Sequence, residues 1–378
     1  MENSIYLPSR LIDEVESLGE RIDKMEATYL FWWLIDSWEN NTTTRTGKEW
    51  KQVLDKNFEF ITKSRETRAK IRAWLEENGF IEIRKTMCKD GTLRNLRIKN
   101  QTAQQYRTLG REEMVEYVLC SKTIQDCFSI AETANDEASQ QTRKNLGLLR
   151  KKENAWGKIK NTEDRYRNRD QKALLTIENN VGSIKRGRKV DRLFSPWVTS
   201  RNAVRKLFTF GSDEIRSFDL QAAQPTLMGS LAKDEKLLGA CLSDELYQGI
   251  ARAFDLDRDK AKKAFYSYSY GPIRKHGTRR PQALLVQQYI ADNYPVTANY
   301  VASQKQFDYR QFAVKKQNLE ASIFVDGIFA ELSRVGIPAL TVHDSIYVGT
   351  THQEQTKEIT EEHLNKQIFG GLFKINQG

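Results

Sequence analysis

The chain has 378 residues, with 60 Lys plus Arg against 50 Asp plus Glu and a formal net charge of +10 at pH 7. A surplus of that size attracts polyanions through counterion release and long-range steering, while 39% hydrophobic and 10% aromatic residues exclude wholesale disorder. No run approaches the ~18 to 20 apolar residues of a membrane span, and Met1-Glu2-Asn3-Ser4 opens no basic, apolar leader, so the sequence predicts a cytoplasmic protein without membrane contact. Cys88, Cys120, Cys127 and Cys241 form no Cys-x-x-Cys pair, and the four His show no His-x-x-x-His spacing. Neither a disulfide framework nor a zinc knuckle is indicated, and the His spacing speaks against a His-built metal site; the expectation is that any metal is held by carboxylates.

The length suggests two or three domains, and three stretches differ in character. In the first, residues 1–100, the segment Arg65 to Asn78 predicts a helix with Ile71, Trp74 and Leu75 on one face. Gly79 ends it, and Phe80 to Arg84 alternates like a strand. Lys89-Asp90-Gly91 predicts a turn, with Leu93, Leu96 and Ile98 returning as a second strand. A helix that runs into a basic hairpin resembles the recognition helix and wing of a winged helix-turn-helix domain. That resemblance implies DNA contact by Arg68, Lys70 and Arg72 on the helix and by Arg94 and Arg97 on the wing.

The second stretch, residues 101–190, is polar and mostly helical in pattern. From Arg143 to Lys206 it and its continuation carry nineteen Lys or Arg against six Asp or Glu, a local excess of +13. Trp156, Tyr166, Phe194 and Trp197 are interleaved with these cations, the combination that a channel for a nucleic-acid backbone needs.

The third stretch, residues 191–378, carries the chemistry. Ile215 to Phe218 has strand character and delivers Asp219 to a strand end, just before a helix that Pro225 can begin. Ile337 to Val342 and Ile346 to Val348 predict a hairpin with Asp344 at its tip. Two acids at neighbouring strand ends could bind two Mg2+ ions, which prefer oxygen ligands. Taken singly, each Asp is weak evidence and is better explained by the demands of a turn. Between them, Arg258, Lys262, Tyr266 and Tyr270 recur at every fourth residue, with Asp257 as N-cap. On an α-helix these four form one stripe of two cations and then two aromatics, an order that suits a nucleoside triphosphate lying along the helix. The competing reading is an amphipathic helix with its Tyr residues turned inward.

Together these residues resemble the family A polymerase superfamily, which includes the bacterial DNA polymerase I type and the single-subunit phage-type RNA polymerases. Asp219 matches motif A. Arg258, Lys262, Tyr266, Tyr270 and Gly271 match motif B without a gap, and His343-Asp344 matches motif C. Arg192 to Ser195, with Arg205 downstream, is similar to the template-contacting segment before motif A, and Gln317 opens a predicted helix ahead of motif C, in the family's order. The resemblance implies an α+β fold with a right-hand palm and helical fingers over residues 191–378, a reduced helical thumb over 101–190, and the winged-helix-like domain over 1–100.

By the same resemblance, Asp219 and Asp344 would ligate two Mg2+ ions, with Mn2+ as a substitute, and Leu220 would add its backbone carbonyl. Arg258 and Lys262 would neutralise the triphosphate, with Lys262 also protonating pyrophosphate as the third catalytic residue. Tyr266 and Tyr270 would frame the incoming nucleotide. Arg192, Arg205, Gly271, Gln317 and His343 would contact template or primer.

Where the family's DNA polymerases carry Glu five residues after the motif A Asp, this chain has Gln224, which can still block a 2′-hydroxyl and bond the Tyr270 hydroxyl. Ser345 after Asp344, by contrast, is closer to the RNA polymerases. No Asp-x-Glu opening suggests a proofreading exonuclease. The expectation is a monomeric, compact DNA-directed DNA polymerase that uses nucleoside triphosphates in phage or mobile-element replication. An RNA polymerase or primase with an RNA product, and a non-catalytic DNA-binding initiator, are the alternatives.

Overall fold

The computed structural model of the chain describes residues 3–8, 51–53, 65–79, 81–87, 102–108, 114–119, 133–162, 164–180, 182–273 and 281–378. The chain divides into two compact units, Met1–Ile130 with Glu153–Val181, and Ala131–Lys152 with Gly182–Gly378, and each mixes helix with strand.

The first unit contains β1 (Asn3–Pro8), β2 (Lys51–Val53), β3 (Ile81–Met87), β4 (Thr102–Thr108) and β5 (Met114–Leu119). β1 pairs antiparallel with β5, and β2, β4 and β3 form a three-stranded sheet in that order. The helix Arg65–Glu77 buries Ile71, Trp74 and Leu75, as their spacing predicts. It ends where Gly79 takes a φ of +71°, a conformation glycine adopts without steric cost. The strand that returns against β3 is β4, with Ile81 opposite Thr108; the predicted return over 93–98 lies outside the described residues. Two strands, β4 and β5, also stand where a helical pattern is expected. In β5 the cause is the run of β-branched and aromatic residues, Val115, Tyr117 and Val118, which suits a pleated surface better than a helix. Helices Ala155–Lys160 and Asp164–Glu178 complete the described part of this unit.

The second unit is organised on an antiparallel sheet of β6 (Leu149–Lys151), β9 (Phe208–Phe210), β10 (Asp213–Leu220), β11 (Ala339–Val342), β12 (Ser345–Gly349) and β13 (Ile375–Gln377). The strand order is β11-β12-β10-β9-β6, with β13 also pairing to β10. A separate two-stranded ribbon joins β7 (Lys185–Arg186) to β8 (Leu193–Phe194). Strand periodicity sends Phe218 and Leu220 of β10, and Ile346 and Val348 of β12, into one core with Phe324 and Leu364. Asp219 and Ser345 therefore point to the opposite face.

Next to the sheet's core, a second apolar cluster is made by helices, and Phe265 and Tyr268 of Arg258–Tyr270 enter it alongside Tyr247, Ile290 and Phe312. The segment ahead of β11 is helical from Tyr309, not from Gln317. Asp308 starts it by accepting the Arg310 backbone N–H at 2.9 Å, which leaves Gln317 in mid-helix. Beyond Ala321 the chain widens into π-helical turns over Ser322–Phe329 before Ala330–Arg334. Among the described residues no helix is long and apolar enough to cross a membrane.

Candidate active site

Asp219 lies one residue from the end of β10 and faces Ser345 in the β10–β12 register. The Ser345 hydroxyl donates to Asp219 Oδ1. Asp344 occupies the two-residue turn between β11 and β12, after His343, whose φ of +54° is the left-handed conformation that such a tight turn requires. The Leu220 backbone N–H donates to the Asp344 carbonyl at 3.1 Å, tying the turn to the end of β10. Two carboxylates that are 125 positions apart in sequence are thereby drawn to one end of the sheet.

Burial raises both acids. The Asp344 carboxyl is pushed up to about 7, first by desolvation and then by the negative charges of Asp219 and Glu320. Asp219 is raised by the same desolvation, with the Ser345 hydrogen bond and the Lys262 charge pulling it back. Two half-buried carboxyl groups side by side, one disfavouring the charge of the other, are a set of oxygen ligands fitted to a hard divalent cation. Asp219, Asp344 and the carbonyl of Leu220 are the groups that would hold it. Among the described residues, no three His, Cys, Asp or Glu side chains gather into a metal cluster, so any further ligands would come from substrate or water.

The helix Arg258–Tyr270 is capped by Asp257, which accepts the Lys260 N–H at 2.7 Å. Ala261, Ala264, Phe265, Tyr268 and Ser269 form its buried face, so Arg258, Lys262, Tyr266 and Tyr270 lie off the core on an exposed to half-buried stripe. Tyr268, outside the stripe, is the tyrosine that turns inward. The rings of Tyr266 and Tyr270 stack with centroids 6.1 Å apart, and the Lys262 ammonium is 6.0 Å from the Tyr266 ring. Arg258 grips Asp244 through two hydrogen bonds of 2.6 and 2.9 Å. At the other end of the helix, Lys305 donates to the carbonyls of Tyr268 and Gly271.

The Tyr270 hydroxyl donates to Gln224 Oε1, the bond expected of that pair. Gln224 Nε2 in turn donates to Glu320 at 2.7 Å, and Glu320 pairs with Arg192 at 2.7 Å. Lys316, fully buried, sits 4.0 Å from the Tyr270 ring centroid and donates to Ser269 Oγ. Burial, followed by the charge of Lys305, lowers the Lys316 ammonium to about 7. Burial raises Glu320, and Arg192 and Gln224 hold it back.

Several of the cations expected on a nucleic-acid track are turned inward. Arg192 is spent on Glu320, and Arg205 donates to the carbonyls of Trp197 and Ser200 and lies over the Tyr347 ring. Arg143 donates to Thr133 and Gly182, and Arg186 bridges Asp136 and Asp326. The cause is local: loops and short helices around residues 182–206 leave backbone carbonyls and acids that need donors. His343 stands beside these cations with its Nδ1 buried and without a hydrogen-bond partner. Burial and the charges of Arg192 and Arg205 lower it to about 4, so at neutral pH it is a neutral imidazole. Gly271 caps the helix Arg258–Tyr270, and Gln317 is half-buried.

In the first unit, Lys70 is exposed and pairs with Glu66 at 2.8 Å, whereas Arg72 is only 8% exposed and lies off the open face that a groove-reading helix presents. Arg68 lies on the same helix, and Arg94 and Arg97 fall outside the described residues.

Sequence reasoning missed Glu320, Lys316 and Asp244, and took Ser345 only as a mark of product type, not as a partner of Asp219. The legible signal for the first two was an acid and a base four residues apart in a helix that continues into the apolar run Ile323-Phe324-Val325.

No protein-family model and no curated protein matches the chain. Among solved structures it is similar to the POL domain of Pol1 from M. smegmatis in complex with DNA primer-template and dNTP. The identity is 14% and the TM-score 0.42, over 69% of this chain and 55% of that one. The chain thus matches little more than half of that structure's length.

Proposed function

We propose that the protein is a template-directed nucleotidyltransferase of the family A polymerase type, joining deoxynucleoside triphosphates to a primer 3′-hydroxyl on DNA. The observation that carries the reading is the meeting of two half-buried carboxylates, Asp219 near a strand end and Asp344 in the adjoining turn, with an exposed to half-buried Arg-Lys-Tyr-Tyr helical stripe whose Lys262 charge already acts on Asp219. One part binds hard cations and the other binds a triphosphate.

Mg2+ held by Asp219, Asp344 and the Leu220 carbonyl would supply Lewis-acid stabilisation of the transferring phosphoryl group. Lys262 and Arg258 act on the triphosphate itself, as cations aligned with the charge that develops on the leaving oxygens. Lys262 is an exposed ammonium whose charge reaches Asp219, and it gives its proton to pyrophosphate. The stacked Tyr266 and Tyr270 offer a flat apolar wall to the base and sugar. The bond from Tyr270 to Gln224 holds that wall closed, which supports exclusion of a 2′-hydroxyl and hence the deoxynucleotide preference. His343, neutral and beside Asp344, suits contact with the primer end. The N-terminal unit, with its exposed Lys70, is assigned to DNA docking on its sequence pattern.

The test is incorporation on a primed DNA template with Mg2+ and either dNTPs or NTPs. Extension with dNTPs is expected. Extension with NTPs alone would overturn the sugar preference, and none with either set would overturn the polymerase reading.

A further inference from the structure

A buried polar cluster lies behind the Tyr270 ring, and its centre is Glu320, 1% exposed on the helix Tyr309–Ala321. Two links meet at Glu320 and a third extends them to Tyr270. Arg192 pairs with the carboxylate at 2.7 Å, Gln224 Nε2 donates to it at 2.7 Å, and Gln224 Oε1 takes the Tyr270 hydroxyl. Lys316, one turn earlier on the same helix, holds the face of the Tyr270 ring from 4.0 Å.

The chemistry of these groups leaves one orientation. A carboxylate paired with a guanidinium only accepts, so the amide of Gln224 must turn its NH2 toward Glu320. Its Oε1 is then the end left for the Tyr270 hydroxyl. A carboxylate at position 224 would instead meet Glu320 acceptor to acceptor, two like charges sharing one buried hydrogen-bond position.

We infer that Glu320 is the positioning residue that fixes the Gln224 amide and, through it, the Tyr270 ring. The identity of residue 224 is dictated by residue 320, and the wall facing the sugar is held by a relay from Arg192 to Tyr270 rather than by Gln224 alone. The consequence for sugar choice rests on the polymerase reading; the pairing itself does not.

The experiment compares the full-length protein with Gln224→Glu, Glu320→Gln and the exchange Gln224→Glu/Glu320→Gln, reading the thermal midpoint and the ratio of dNTP to NTP incorporation efficiency. Each single change is expected to lower the midpoint and to weaken discrimination by about tenfold, the equivalent of one lost hydrogen bond. The exchange sets an amide against a carboxylate again, leaves an acceptor for the Tyr270 hydroxyl and keeps the cluster's net charge, so it should recover most of both losses. Additive losses in the exchange, or a Glu320→Gln ratio equal to the parent's, would overturn the inference. If the parent incorporates neither nucleotide, the polymerase reading fails. The midpoints then decide the pairing alone, recovery in the exchange upholding it and additivity overturning it.

Discussion

Asp219 and Ser345 face each other across the β10–β12 ladder, and the Ser345 hydroxyl donates to the Asp219 carboxylate. This bond favours the ionised acid, against a burial that raises its pKa. Ser345→Ala should therefore leave Asp219 more readily protonated and a poorer cation ligand. The half-saturating Mg2+ concentration for nucleotide incorporation is expected to rise about tenfold, with a stability loss of about 1 kcal/mol. A Mg2+ titration at fixed pH checks this, and an unchanged midpoint would remove Ser345 from any role at the site.

Asp344→Ala should reduce incorporation to background while binding of primed DNA stays within about twofold of the parent, because one acid carries little of the affinity that phosphate contacts supply. Gel-shift and extension assays on the same preparation separate the two. An active Asp344→Ala protein would mean that the carboxylate pair is not the reaction centre.

The parts legible in the sequence were those written in local periodicity. The four-residue recurrence from Arg258 to Tyr270 fixed a helix and its open face, and alternation around Asp219 and Asp344 fixed two strand ends. What stayed hidden was pairing at a distance. Glu320 is 96 positions from Gln224 and 128 from Arg192, and no local pattern announces that a helix will deliver its one buried acid to both. The basic stretch misled for the complementary reason. A count of cations does not say which of them will find carbonyls and acids inside the fold, as Arg143, Arg186, Arg192 and Arg205 do.

Arg258 is already engaged by a carboxylate, Asp244, before any triphosphate arrives. Both side chains are partly exposed, so the pair is worth only about 0.5 to 1 kcal/mol. Asp244 has a φ of +60°, which Asn tolerates as well, so Asp244→Asn removes the charge without straining the backbone. It should lower the KM for the nucleotide by roughly two- to fivefold with little change in kcat. A raised KM would show instead that Asp244 presents Arg258 in its working orientation.

Lys305 is buried and holds the carbonyls of Tyr268 and Gly271 at 2.5 and 2.8 Å, closing the end of the helix that carries Tyr270. Lys305→Met keeps the length and the packing but leaves both acceptors without this donor. A loss of about 2 to 4 kcal/mol in urea denaturation is expected. A change under about 0.5 kcal/mol would mean that the helix end is secured elsewhere.

The Asp344 carboxyl, raised to about 7 in the fold, has a definite consequence for stability in the absence of divalent cations. Between its unfolded value near 4 and about 7, the folded protein binds the extra proton, so this group's contribution falls as pH rises through that window. His343 opposes it. Lowered to about 4, it leaves the unfolded chain with the extra proton up to about 6.5, and its contribution rises with pH. The two offset each other in the parent over much of the acid range, and Asp344→Asn separates them. The melting temperature of the variant minus that of the parent, measured in a chelator, should be near zero at pH 4, grow to several degrees by pH 7.5 and stay level above. Adding Mg2+ at pH 7.5 should narrow the gap by stabilising the parent alone. A difference that stays flat from pH 4 to 8 would show that Asp344 is ionised throughout and that its surroundings, not a cation, already balance its charge.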